Sequence, residues 1–214
     1  MSLPLQLKLL LKPLINRILA DNLNTFMRLQ KINSEKLKLN LAGYVESATQ
    51  ISSPNFDARP DNSTIDLIVI HNISLPPNRY DGSGVIQLFT NQLNPNEHPY
   101  YAEIYTRKVS SHFFIRRDGE LLQFVSCLQR AWHAGASNWQ GRERCNDFSV
   151  GIELEGNDFE AFETAQYTTL KKLITCLKNN YPIQHIVGHS DIAPGRKTDP
   201  GPYFDWSQLE TVKI

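Results

Sequence analysis

A loop near the C-terminus constrains the chain most. Residues 185–187, His-Ile-Val, predict a short buried strand, and the loop that follows spans residues 188–202. Pro and Gly recur in its second half, so its backbone is restrained. The loop carries His189, Lys197 and Asp199. An imidazole, an ammonium and a carboxylate on one rigid loop indicate a metal or hydrolytic site. The alternative is a packed or surface histidine beside a common Asp-Pro-Gly turn.

A second histidine follows another apolar run. Residues 65–70 are rich in β-branched side chains and predict a central strand that ends at His71. Adjacent parallel strands would bring His71 and His189 within a few ångströms of each other.

The other elements indicate the fold class. Asp-Gly at 118–119, between apolar runs at 111–115 and 121–125, predicts a hairpin. Residues 148–154 predict a strand, and residues 83–93 a short helix capped by serine. Residues 164–180 carry one apolar and one basic face and predict the clearest helix. We therefore expect an α/β (α+β) domain with a central mixed sheet flanked by helices.

The first forty residues differ from the rest. Residues 1–40 carry seven Lys or Arg against two acidic residues, and their leucines fall near helical spacing. This pattern predicts a basic, helical N-terminal extension, followed by a domain over residues 41–214. A helix packed on the domain, or an extension with no role, is favoured over a helix that lies on a membrane or a partner, because the apolar face is not continuous.

Composition excludes several classes of protein. A formal net charge of zero argues against nucleic acid as a partner. Three widely spaced cysteines form neither a disulfide framework nor a zinc ribbon, so we expect reduced thiols. No apolar run reaches the roughly 18 residues of a membrane span, and no secretory signal is evident. We expect a cytoplasmic protein.

The candidate residues form a hydrolytic set. A catalytic zinc takes three protein ligands and keeps one position for water, and His71, His189 and Asp199 supply such a set. A proton acceptor is also needed, and Glu153 interrupts an otherwise apolar strand. Glu155 lies on the same face, so the pattern does not choose between the two. Lys197 is a candidate for stabilising an oxyanion.

The remaining histidines and Cys145 have weaker claims. His112 lies within a predicted strand and is interpreted as a core histidine, while His133 beside Trp132 is interpreted as a substrate contact. His98 and His185 are interpreted as structural or solvent-facing. Cys145 is an alternative ligand without a neighbouring cysteine.

Several segments resemble a known family. The segments are residues 69–77, 112–119, 130–135, 140–147, 151–156 and 188–202. They resemble the cytoplasmic 1,6-anhydro-N-acetylmuramyl-L-alanine amidases of peptidoglycan recycling, whose wider family includes bacteriophage lysozyme amidases and peptidoglycan recognition proteins. The resemblance runs from about residue 43 to residue 206. Residues 1–40 have no counterpart in it, and Arg107-Lys108 departs from the usual pattern.

The resemblance implies a function and roles for particular residues. It implies one zinc ion per chain, held by His71, His189 and Asp199, with Glu153 as the base and Lys197 as the transition-state stabiliser. The reaction would be hydrolysis of the lactyl-amide bond between (1,6-anhydro-)N-acetylmuramic acid and L-alanine. The small-molecule partner would be an anhydromuropeptide, and we expect a monomer. The implied substrate contacts are Asn72, Trp132 and Arg144.

Two alternatives remain at this point. One is a non-catalytic muropeptide-binding module on the same fold, which would lack part of the ligand set. The other is a membrane-attached hydrolase, which rests only on the basic N-terminal stretch.

Overall fold

A central mixed sheet organises the chain. The computed structural model describes residues 36–212. Within them, a six-stranded sheet has the order β1-β5-β4-β9-β3-β10. Its strands are β1 (Thr49–Gln50), β3 (Leu67–Ile73), β4 (Phe113–Ile115), β5 (Leu121–Gln123), β9 (Ser149–Glu155) and β10 (His185–Gly188). β4, β9, β3 and β10 run parallel, and β5 pairs antiparallel with β4. The predicted mixed sheet and hairpin are confirmed.

Two small antiparallel pairs lie outside this sheet. β2 (Phe56–Ala58) pairs with β6 (Gln129–Ala131), and β7 (Asn138–Trp139) pairs with β8 (Arg142–Glu143). Gly141 has φ +84°, in the left-handed region that glycine tolerates, at the turn between β7 and β8. None of these strands was predicted from the sequence.

Four α-helices are described. They are α1 (Gly84–Phe89), α2 (Pro99–Ile104), α3 (Thr164–Asn180) and α4 (His189–Ile192). α3 has the predicted bounds, and the Gln166 side chain accepts the Glu163 N–H at its start. α1 is shorter than predicted, and the Ser83 side chain makes no cap bond. α2 was not predicted; His98 Nδ1 caps it by accepting the Tyr100 N–H, which gives His98 a structural place.

The two faces of the sheet have different coverings. On one face, Ile68, Ile70 and Ile152 pack with Leu170 and Leu173 of α3 in the main core. Successive side chains of a strand alternate between faces, so Val69 and His71 point the other way. There Leu67 and Val69 pack against Ala134, Cys145, Phe148 and Ile192. The site therefore lies on the face opposite α3.

The start of the described part belongs to the domain. Leu37 and Leu39 are partly buried against the main core, and Leu39 bridges to Val45. The compact unit begins at Leu37, a few residues before the predicted boundary at residue 41. The predicted N-terminal helix lies outside the described residues. Within residues 36–212, no helix has the length and apolarity that a bilayer crossing requires.

Candidate metal centre

Parallel pairing brings the first two candidate ligands together. β3 lies between β9 and β10, and Ile70 pairs with Gly188, the last residue of β10. His71 and His189 therefore leave the same edge of the sheet one residue later. The predicted strand through residue 70 continues to Ile73, so His71 lies within β3 rather than after it.

Three donor atoms converge at this edge. His71 Nδ1 lies 2.9 Å from Asp199 Oδ2 and 3.0 Å from His189 Nδ1, and His189 Nδ1 lies 3.0 Å from Asp199 Oδ2. The Ser190 N–H donates to the Asp199 carbonyl, which fixes the loop beside α4. The residues predicted from the sequence thus form one group that could hold a metal ion.

The hydrogen bonds behind the group show which nitrogen carries the proton. His189 Nε2 lies 3.0 Å from the Ala134 carbonyl, which can only accept. Nε2 is therefore the N–H, and Nδ1 of the neutral ring presents a lone pair. An N–H to carbonyl bond behind a lone-pair nitrogen is the usual environment of a metal-bound histidine.

The donor set fits zinc in chemistry and spacing. Two imidazole nitrogens and one carboxylate oxygen are zinc ligands, with bonds of about 2.0–2.2 Å. Tetrahedral ligand atoms at that distance lie about 3.3 Å apart, and the observed separations are only a few tenths of an ångström shorter. Three protein ligands leave one position for water, which is the pattern of catalytic sites.

Burial and pairing hold the ligands in their metal-binding charge states. Burial lowers the pKa of His71 to about 4, against the opposing effect of Asp199, so this imidazole is neutral at pH 7. Burial alone would raise the pKa of Asp199, but the close contacts of its carboxylate with His189 and His71 outweigh this effect and lower the pKa below its usual value. A neutral imidazole and an ionised carboxylate are the forms that bind a metal ion.

Glu153 differs from Glu155 in its surroundings. Glu153 pairs in register with His71, lines the cleft beside the ligand group, and is buried. Its Oε2 has no hydrogen-bond partner within residues 36–212. Burial, and then the charge of Asp199, raises its pKa well above the usual value. Glu155 instead accepts from the backbone N–H groups of Asp81 and Arg117.

A cleft of about 540 Å³ opens at the ligand group. Lys197 lines it as an exposed side chain, and its charge opposes the rise in the pKa of Glu153. Asn72 Nδ2 donates to Asp158 Oδ1 and to the Pro200 carbonyl. Because both are acceptors, the amide nitrogen of Asn72 is engaged by the protein, and its oxygen is the atom with acceptor capacity for a ligand.

The other candidate substrate contacts differ in whether they line the cleft. Trp132 and His133 line the cleft. Trp132 Nε1 donates to Asp57 Oδ1 at 3.1 Å, and both ring nitrogens of His133 have protein partners. Arg144 is not among the residues that line the cleft; its side chain is 68% exposed and its Nε lies 3.3 Å from Asp147 Oδ2.

The two remaining side chains near the site are buried in the interior. His112 accepts the Gly151 N–H at Nδ1 and lies 3.0 Å from the Gln129 carbonyl at Nε2, as expected for a core histidine. Cys145 is buried and lies outside the ligand group.

Sequence reasoning missed the residues that support the ligands. Asn146 Oδ1 accepts the backbone N–H groups of both His133 and Ala134. Arg196 donates to the Ala134 carbonyl, beside the bond from His189. These contacts involve backbone groups and long sequence separations, and no spacing in the sequence indicates them.

Comparison with known proteins identifies the family. Residues 61–202 match the family model described as N-acetylmuramoyl-L-alanine amidase, which spans all the candidate ligands. The chain belongs to this amidase family. The resemblance predicted from sequence motifs is confirmed.

Individual relatives support the assignment over the same region. The 1,6-anhydro-N-acetylmuramyl-L-alanine amidase AmpD of Escherichia coli (strain K12) is 51% identical over 172 residues, covering 79% of this chain and 94% of that protein. A crystal structure of a selenomethionine AmpD derivative has a TM-score of 0.80 at 49% identity, covering 82% of this chain and 99% of that chain.

A more distant family member has been solved with its substrate. The amidase AmiD from E. coli, in complex with anhydro-N-acetylmuramic acid-L-Ala-D-γ-Glu-L-Lys, has a TM-score of 0.54 at 30% identity. The alignment covers 83% of this chain and 66% of that chain. These neighbours confirm the predicted amidase fold.

Proposed function

We propose that the chain is a zinc-dependent amidase that hydrolyses the lactyl-amide bond between N-acetylmuramic acid, including its 1,6-anhydro form, and L-alanine. The family assignment supports the bond type, and the AmpD relatives carry the anhydro sugar in their name. The AmiD complex contains a ligand of the same class. The substrate would be an anhydromuropeptide from peptidoglycan turnover.

The observation that carries this proposal is the combination of a ligand group with an unpartnered carboxyl group. His71, His189 and Asp199 bring three donor atoms within 3.0 Å of one another. Glu153 lies in register beside them with a buried oxygen that nothing in residues 36–212 satisfies. A buried polar atom without a partner is costly for folding alone and is characteristic of catalytic groups.

Zinc held by these three residues would polarise the amide carbonyl and acidify the attacking water. The protein supplies the proton transfers. Glu153 accepts a proton from the water as the water attacks the carbonyl carbon. It then returns that proton to the amide nitrogen, so that L-alanine leaves as a neutral amine and the lactyl group as a carboxylic acid. Burial raises the pKa of Glu153, and a raised pKa suits a carboxyl group that acts first as a base and then as an acid.

Two further side chains would bind the reacting group and its surroundings. Lys197 presents an ammonium to the cleft and would stabilise the negative charge that develops on the carbonyl oxygen. Asn72 would accept an N–H of the substrate through its amide oxygen, since its nitrogen is already engaged. Trp132 and His133 would contact the substrate at the wall of the cleft. Arg144, which does not line the cleft, is proposed as a substrate contact from the family resemblance alone.

Two broader properties are also part of the proposal. The three cysteines are buried free thiols, which suits the reducing cytoplasm. We expect the protein to act as a monomer, with the small-molecule substrate as its partner. A non-catalytic binding module gains no support here, since the ligand residues and the candidate base are all present.

The experiment is turnover of purified muropeptides. Anhydro and reducing-end muropeptides are incubated with the protein, with and without a zinc chelator, and free stem peptide is measured. We expect release of a peptide with an N-terminal L-alanine, loss of release after chelation and recovery on adding zinc. Cleavage at another bond, or turnover that chelation does not affect, would contradict the proposal.

A further inference from the structure

Besides His189, His71 contacts another histidine, His133, which is not one of the proposed metal ligands. His71 Nε2 lies 2.9 Å from His133 Nδ1, and His133 Nε2 lies 3.2 Å from Ser149 Oγ. The rings of His71 and His133 meet edge to face, with centroids 5.0 Å apart. The two histidines and the buried serine therefore form one line of hydrogen bonds that begins behind the ligand group.

Only one arrangement of protons along this line suits metal binding. If Nδ1 of His71 offers a lone pair to the metal, its Nε2 carries the proton and must donate. His133 Nδ1 must then accept, which places the proton of His133 on Nε2. Ser149 completes the line, because a hydroxyl group can accept that proton whatever else it donates to.

We propose that His133 is a positioning residue, which holds His71 in the tautomer that presents its Nδ1 lone pair to the metal ion. This inference rests on the proposed zinc site and extends it by one layer. His133 would act for His71 as the Ala134 carbonyl acts for His189. Consecutive residues of one segment would thus orient both histidine ligands.

The surrounding structure holds His133 in place. Asn146 Oδ1 accepts the His133 N–H at 3.2 Å and the Ala134 N–H at 2.8 Å, which fixes the backbone of this pair. The His133 ring packs directly over Gly151 of β9. A Cβ atom at Gly151 would lie 2.5 Å from His133 Cγ, so the strand leaves room for the ring only because this residue is glycine.

The same contacts limit what His133 can do for the substrate. Both ring nitrogens are engaged, one by His71 and one by Ser149. Any contact with a ligand in the cleft would therefore use the carbon edge or face of the ring. The tautomer role and a substrate contact are compatible, but only the first uses the nitrogens.

Two substitutions at His133 separate the acceptor from the donor. His133→Asn places an amide oxygen near the position of Nδ1 and keeps an acceptor for His71. His133→Gln places its amide near the position of Nε2, so it can reach Ser149 but not His71. The dissociation constant for zinc is measured by competition with a chromophoric chelator, and the His71 Nε2–H resonance is followed by ¹⁵N NMR of the zinc-loaded protein.

We expect His133→Gln to weaken zinc binding about 10- to 100-fold, the usual effect of losing such a partner. We expect His133→Asn to bind within a few-fold of the parent and to keep the His71 Nε2–H signal. Parent-like binding by His133→Gln, or an equal loss in both variants, would overturn the inference.

A third variant tests the inference even if the His133 variants do not fold. Ser149→Ala removes the acceptor of the His133 Nε2–H, and we expect weaker zinc binding; unchanged affinity would contradict the tautomer role. A parent protein that binds zinc but does not cleave muropeptides would defeat the proposed function and leave this inference standing. A parent protein that binds no zinc would defeat both.

Discussion

A single methyl group added at Gly151, which lies beneath the His133 ring, tests the proposed role of His133. In Gly151→Ala, the new Cβ would lie 2.5 Å from His133 Cγ, whereas ordinary contacts at a Cβ begin at 3.4 Å. The ring must therefore move by about 0.9 Å. A shift of that size moves His133 Nδ1 out of line with His71 Nε2, 2.9 Å away, and so bends and weakens this hydrogen bond.

Two effects of known size follow from this shift. Overpacking of a well-packed interior costs about 1–3 kcal/mol, which lowers the unfolding temperature of a domain of this length by about 2–12 °C. Misalignment of the partner of His71 weakens zinc binding by up to about 10- to 100-fold, the effect of losing such a partner altogether. Thermal unfolding of the metal-free protein measures the first effect, and chelator competition measures the second.

A matched glycine supplies the control. Gly82→Ala introduces the same methyl group where the nearest atom, the Leu75 carbonyl oxygen, lies 3.7 Å away, so little change is expected. The reasoning is refuted if Gly151→Ala matches Gly82→Ala in unfolding temperature and in zinc affinity. A loss of stability with parent-like zinc affinity would refute only the role of His133.

Three further predictions concern catalysis, the core and acid stability. Lys197→Met should lower kcat about 10²- to 10³-fold with zinc retained, and Lys171→Met on α3 should not; steady-state kinetics that show parent-like kcat would remove Lys197 from its role. Leu170→Ala should cost about 2–5 kcal/mol in urea unfolding, because Leu170 is fully buried between α3 and the sheet; a cost below 1 kcal/mol would mean that the core closes around the space. Burial lowers the pKa of His112 to about 3 from an ordinary 6.5, so between these values the unfolded chain binds the proton and the folded protein does not. Stability should therefore fall as pH drops through this window, and His112→Gln should flatten the slope by up to about 1.4 kcal/mol per pH unit; an unchanged slope in urea unfolding at several pH values would show that His112 does not titrate in this way.

The sequence predicted the ligand group because its members follow apolar strands. His71 and His189 each come after a β-branched run, and parallel neighbours end at the same edge of a sheet. Asp199 came from the resemblance and from its place on a loop rich in Pro and Gly. The strand order that joins β3 to β10 depends on long-range pairing, which the sequence does not display.

The choice between Glu153 and Glu155 shows what the alternation of side chains along a strand cannot predict. Both residues alternate to the same face of β9, so periodicity treats them alike. The backbone N–H groups of Asp81 and Arg117 satisfy Glu155, while one oxygen of Glu153 is left buried without a partner in the described chain. The family resemblance implied Glu153, and the three-dimensional contacts supply the physical difference between the two carboxyl groups.

The supporting shell was beyond prediction for a similar reason. The place of His133 beside Trp132 in a predicted loop favoured a substrate contact over a metal ligand. Its bonds to His71 and Ser149 join residues 62 and 16 positions away. Contacts of this kind depend on the sheet register and on Gly151, and no local sequence motif predicts them.

The central claim is that three side chains from separate positions in the sequence hold one zinc ion, and the metal content of the protein tests this claim most directly. Zinc per chain is measured in the purified parent, in His71→Ala and in His98→Asn, a control that keeps a capping acceptor at the start of α2. We predict one zinc per chain in the parent and in His98→Asn, and a loss of bound zinc in His71→Ala. Stoichiometric zinc in His71→Ala would contradict the account.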